Sequence, residues 1–218
     1  LDKLGAIVIM PALSVDNMQR FTRATADGVN PNRTLVSASE YSNQNNIYVY
    51  TQVMPTLAID CHEDYGKLVP DAEDFSMDML EDVNIGCFTN VNTPITNPAD
   101  YVGTMAKEDL LNRTDVQIMM NALSDIRERT NLRSAVYYSQ ATNPGTARGY
   151  YALRGAYSFL VEVMRIDTGK VRYERAVFAT KEALVSLVDQ FMSYNGELAR
   201  NVFENRARMA ANTKFDAA

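Results

Sequence analysis

Four side chains capable of metal-ligand or proton-transfer chemistry stand side by side in "DCHEDYG": Cys61, His62, Glu63 and Asp64. A thiolate, an imidazole and two carboxylates are the right donors for a divalent ion. Their spacing argues against such a site. Neighbouring residues of a strand point to opposite faces, so the four cannot converge on one centre. His62 is the single histidine of the chain, which removes paired-histidine metal sites and a two-histidine acid–base scheme. The stretch reads instead as solvated acidic loop. From Asp60 to Asp82 it holds nine carboxylates against one basic residue, Lys67. Calcium favours oxygen ligands, but the alternating acids, central glycine and closing glutamate of an EF-hand are missing.

A search for nucleophiles is equally unrewarding. There is no Gly-x-Ser-x-Gly and no Ser-x-x-Lys, and no cysteine has a credible catalytic base nearby. No glycine-rich loop runs into Lys-Ser or Lys-Thr, as a phosphate cradle would. Carboxylates this abundant could meet in space as a glycosidase pair, although without tryptophan a sugar cleft would have to use Tyr or Phe. No catalytic, cofactor-binding or metal residue is assigned, no cofactor is expected, and the chain is expected to be non-enzymatic. Cys61 and Cys87 are too few for a disulfide framework or a structural zinc site. They form either one bridge in an oxidising compartment or two small buried apolar groups.

The 218 residues suit one domain with an appended segment, and 46% hydrophobic against 22% charged residues can bury a real core. Net charge is −6, with a sequence pI near 4.9. Phosphate backbones require clustered Lys and Arg, so nucleic acid is not an expected partner. No apolar run reaches the roughly 18–20 residues of a transmembrane helix. The chain does not begin with Met, so a removed signal or lipid-anchor segment is compatible with the sequence.

The elements follow from periodicity. "AIVIM", residues 6–10, suits a short buried strand. A helix starts from Asp16, with Gln19 three residues on, and stops at Gly28. "NIYVYTQVMPTLAID", 46–60, alternates as a strand and is bent or ended by Pro55. Residues from about 60 to 113 form a long acidic and polar excursion. Val116, Met119, Met120, Leu123 and Ile126 then recur at helical spacing behind Thr114 and Gln117, and "LRSAVYY" resumes as a strand. In "YSFLVEVMRIDTGKVRYERAVF" two apolar runs flank Asp167-Thr168-Gly169, which predicts an antiparallel hairpin of 158–166 with 170–178 and Gly169 at positive φ. Thr180 caps a helix through Phe191, Gly196 breaks it, and a last helical stretch carries Leu198, Val202, Phe203 and Met209.

The expected fold is α+β: an antiparallel or mixed sheet with helices on one side, a long excursion, and C-terminal helices. Residues 1–195 form the domain and 196–218 a helical extension. Basic residues gather on the hairpin (Arg165, Lys170, Arg172, Arg175) and near the end (Arg200, Arg206, Arg208) as a solvated face or a complement to the acidic excursion. The excursion and the extension are expected to be association surfaces apart from the central core.

The helix of "TDVQIMMNALSDIRERTNLRSAVYYSQ" and the hairpin after it, residues 114–188, resemble bacterial envelope lipoproteins. That group includes the outer-membrane activators of penicillin-binding proteins and the periplasmic domain of the curli secretion channel. The resemblance implies a binding or assembly module, in some members a ring, and carries over no functional residue. The expectation is therefore a structural or adaptor subunit of a larger assembly in a bacterial cell envelope or periplasm, as a homo-oligomer or part of a hetero-assembly. Two alternatives stand beside it. One is a virion or phage structural protein; the other is a small hydrolase or ligand-binding protein with a cleft lined by Tyr and acids.

Overall fold

A computed structural model describes residues 5–11, 22, 24–38, 40–64, 82–87, 113–137, 144–164 and 170–212. Its elements are α1 (Tyr41–Val53), β1 (Leu57–Asp64), β2 (Val83–Cys87), α2 (Thr114–Arg129), β3 (Ser134–Val136), α3 (Ala147–Leu153), β4 (Tyr157–Met164), α4 (Lys170–Met192) and α5 (Glu197–Asn212), with short 3-10 turns at Pro31–Arg33 and Leu35–Ser37 before α1. The class is α+β, as expected. Four strands form a mixed sheet in the order β1-β4-β2-β3. β4 runs parallel to β1 and antiparallel to β2, and β2 runs parallel to β3.

The two faces of this sheet differ in kind. Tyr157, Phe159, Val161 and Val163 of β4 and Val83 and Ile85 of β2 point to one face. There they meet Val116, Met119, Leu123 and Ile126 of α2 and Ala179, Ala183, Leu187 and Phe191 of α4. Four of the five α2 positions given by the helical spacing are buried here, and Met120 is exposed. No side chain caps α2 at Arg113; that residue forms a buried, two-bonded ion pair with Asp115. Leu198 and Val202 of α5 close the same core. The last helix is therefore part of the central packing, contrary to the expected separate association surface. Gly196 does break the chain before it, at φ +83°.

Three predicted strands are corrected. Residues 6–10 form no strand, and Ile7, Val8 and Ile9 lie exposed. Residues 46–53 belong to α1, which turns at Met54 (φ 45°) into β1. Its alternation was misleading because the inward face is polar: Asn43, Asn46 and Tyr50 are the buried residues, at helical spacing. Asn43 donates to the Pro31 carbonyl and to Thr34 Oγ1, at 3.0 Å each, so hydrogen bonding orders this helix where apolar burial would not.

The third correction is the hairpin. Its first arm is β4, but residues 170–178 are the start of α4, and β4 pairs with β1 and β2. Tyr173 and Val177, placed on a strand face by the sequence, are exposed on the helix. Thr180 lies inside α4 and donates to the Ala176 carbonyl, so it caps nothing. Gly169, and with it the predicted turn, lies outside the described residues, as does the helix start at Asp16. The hairpin half of the feature that carried the resemblance to envelope lipoproteins is thus replaced by a helix.

The acidic excursion also gives residues to the core. Its first five residues end β1, and β2 lies within it with Val83 and Ile85 fully buried. Asp82 is no solvated acid. Arg175 of α4 donates to both its oxygens, at 2.6 and 2.8 Å, and Arg133 donates through its backbone N–H at 2.8 Å. Burial pushes Asp82 up, yet the bonds from Arg175 and Arg133 outweigh it and hold the carboxyl below its ordinary value. Arg206 is likewise committed internally, donating to the carbonyls of Arg154, Met54 and Pro55 and to Tyr50 Oη. It ties α5 to the ends of α1 and α3.

Candidate functional site

On the second face of the sheet, strand alternation brings polar groups together. Asp60 and His62 of β1, Ser158 and Glu162 of β4, and Asn84 and Gly86 of β2 occupy it. Register sets His62 opposite Glu162 and Glu162 opposite Asn84, so one row of three polar side chains crosses three adjacent strands. One position along, Asp60, Leu160 and Gly86 form the next row.

α3 lies over this face and delivers Arg148, which is 2% exposed. Gly86 makes room for it: a Cβ there would sit 2.7 Å from Arg148 Nη1 and 3.2 Å from the Tyr137 carbonyl. Burial pulls the guanidinium below its ordinary pKa, while Cys87, Asp60, Tyr137 and Glu162 oppose the shift. The position of α3 is fixed by a second, smaller core of Leu35, Tyr50, Ala147 and Tyr150, with Tyr151 stacked on Tyr50 at 5.2 Å. Tyr151 donates to the buried Asn46. Burial, and then the nearby Asp60, raise the Tyr151 phenol above its ordinary value, so it is a neutral donor.

His62 lies 2.9 Å through Nε2 from Asp60 Oδ2, and 2.9 Å from Asn32 Nδ2. Ser158 Oγ and Asn84 Oδ1 are buried there without a hydrogen-bond partner among the described residues. Buried polar atoms normally have partners, and those that do not are candidates for contact with water or a ligand. A base, two acids and a buried cation therefore converge on one face, with acceptor atoms still open.

The sequence singled out only one of these residues as a candidate, His62 in the Cys61–Asp64 run. The run, expected to be solvated loop, instead ends β1, and by strand alternation Cys61 and Glu63 leave the face that His62 occupies. Cys61 and Cys87 are both free. β4 separates their strands, and Cys61 pairs with Val161 while Cys87 pairs with Phe159, which sets them about 12 Å apart, beyond disulfide reach. Burial and then the charge of Asp115 push the Cys87 thiol up to about 12, against Arg113 and Arg148, so it is a protonated group and no nucleophile. Arg148, Glu162, Asn84 and Ser158 were missed. For three of them a signal existed: "YSFLVEVM" and "VNIGC" alternate polar with apolar, which marks a second, polar face.

No family model matches the chain, and no curated protein matches it. Among solved structures it is similar to a metallo-carboxypeptidase from Burkholderia cenocepacia, with a TM-score of 0.52 and 14% identity over 84% of this chain. The match spans 45% of that protein, so this chain corresponds to under half of its length. The expectation of a non-enzymatic chain is corrected by this finding: a solved structure that shares this fold is an enzyme. At such low identity the likeness is one of fold. A catalytic metal centre of that general kind takes about three protein donors. Among the described residues no group of three His, Cys, Asp or Glu side chains could hold an ion. Asp60 and His62 supply two adjacent donors, and among the described residues no third completes a metal centre.

Proposed function

We propose that the chain is a hydrolase for a small polar substrate, with its site on the polar face of the sheet. The row His62–Glu162–Asn84 beneath Arg148 carries the reading. Glu162 and His62 are the proton-transfer groups, activating a water and protonating the leaving group. Arg148 supplies positive charge toward an anionic group of the substrate or the developing oxyanion, where low local dielectric strengthens it. Tyr137 lies beside Arg148 and Tyr151 near Asp60, the residue types that a Tyr- and acid-lined cleft would use. The test is a screen of ester, amide and peptide substrates with the wild type and Glu162→Gln. Turnover that falls about 100-fold or more in the variant, with an unchanged circular dichroism spectrum, supports the reading. Turnover that survives the substitution intact contradicts it.

A second reading, association with further copies of the chain, is favoured by the outer side of α4, where Tyr173, Val177, Phe178 and Val185 are exposed. Among the described residues no helix is long and apolar enough to cross a membrane. Light scattering decides: a stable oligomer dispersed by Val177→Asp supports association, and a monomer at high concentration removes it.

A further inference from the structure

His62 Nε2 faces two partners with opposite demands. The contact with Asn32 Nδ2 has hydrogen-bond geometry. The contact with Asp60 Oδ2 is as short, but that oxygen makes no hydrogen bond among the described residues. Asn32 cannot reverse its amide without loss, because its Oδ1 accepts the backbone N–H of Ala147 at 2.7 Å, and an N–H can only donate. Its NH2 therefore points at the imidazole, and Nε2 must accept. That requires a neutral His62 with the proton on Nδ1. A protonated ring would oppose donor to donor at Asn32 and would be drawn to the carboxylate of Asp60.

Ala147 is the first residue of α3, and the next residue is Arg148. The turn that holds Asn32 is tied to the same place by Leu35 N–H donating to the Gly145 carbonyl at 3.0 Å. A change at His62 thus has a short path to the helix that covers the polar face.

We propose that His62 is a protonation-controlled latch on α3: neutral, it accepts from Asn32 and leaves that amide holding Ala147; protonated, it turns to Asp60 and displaces Asn32, and with it the first N–H of the helix. Among the described residues, Asp60 on its own strand lies 2.9 Å from the imidazole and Glu162 on β4 stands opposite it in register, while Arg148 and Tyr151 of α3 act on that same Asp60. The two carboxylates favour the protonated form, and the positive charge of Arg148, which acts on both of them, opposes it. The latch does not depend on hydrolysis, and its test uses no substrate, so either proposal can fail alone.

With a single histidine in the chain, nuclear magnetic resonance follows the event without ambiguity. Between about pH 8 and about pH 5, where an imidazole titrates, the Ala147 amide resonance should move with the same midpoint as the His62 ring. In Asn32→Asp the new carboxylate accepts from Ala147 and from the imidazolium together. The His62 midpoint should then rise by about 1–2 pH units, and the Ala147 resonance should stay still through it. His62→Gln is the second variant and should leave Ala147 without a titration in this range. An Ala147 resonance that is flat while His62 titrates in the wild type, or that still moves in His62→Gln, overturns the latch.

Discussion

Two faces of one sheet, four strands wide, are built on opposite principles. On the first, Phe159, Val161 and Ile85 pack against helices through apolar contact alone, each with no exposure. On the second, a single residue away along the same strands, stand Ser158, Glu162 and Asn84, with Asp60, His62 and Arg148 around them. Apolar burial stabilises by about 25 cal/mol per Å², whereas a buried charge or unpartnered polar atom costs free energy. A fold gains nothing in stability from the second face that the first does not supply more simply. On the proposed reading, the difference separates residues that make the protein fold from residues that serve the site.

The largest expected effect lies on the apolar side. Phe159→Ala removes the central ring of the core and should cost about 3–5 kcal/mol in urea unfolding. A loss below about 1 kcal/mol would mean that the faces are not divided in this way. Next comes Asp82→Asn, which cuts the charged bonds from Arg175 and Arg133 that join β2, β3 and α4. It should cost about 2–3 kcal/mol at neutral pH. The Asp82 carboxyl is held below its unfolded value, so its stabilisation is complete above about pH 4 and is lost as pH falls through the folded value. The gap between wild type and Asp82→Asn should therefore close in acid. A gap that is constant with pH would show that the ion pairs are not its source.

Gly86→Ala probes the seam between the faces. The new Cβ would meet the Arg148 guanidinium and the Tyr137 carbonyl, so an expected cost of about 1–3 kcal/mol should come with a shifted Arg148 Nε–H resonance. An unchanged resonance would place Arg148 elsewhere than against the sheet.

How much of this could be read from sequence depends on how the helices pack. α2 was legible because large apolar residues, Val116, Met119, Leu123 and Ile126, mark its buried stripe. The start of α4 was not, because its inward residues are Ala176, Ala179 and Ala183, small groups that let the helix lie close and carry little hydrophobic signal. Meanwhile Val171, Tyr173 and Val177 fell by chance on odd positions and imitated a strand. α1 was hidden for a related reason, since its inward face is two asparagines and a tyrosine. The polar face was half visible, in the alternation of β4 and β2. Its assembly was not, because His62 and Glu162 are 100 positions apart and meet only through the parallel register of β1 with β4. Arg148 reaches them from a helix of only seven residues, too short to show an apolar periodicity.

The smallest expected effect tests the central claim most directly, because it falls next to the largest. Ser158 is 1% exposed, its Oγ has no hydrogen-bond partner among the described residues, and Phe159 follows it on β4. If the second face is kept for function, removing that oxygen relieves a cost. The free energy of unfolding of Ser158→Ala, measured beside wild type, should be unchanged or higher by up to about 1 kcal/mol. A loss of more than about 1 kcal/mol would show that Ser158 is held in a structural bond, and that the polar face is part of what folds the protein.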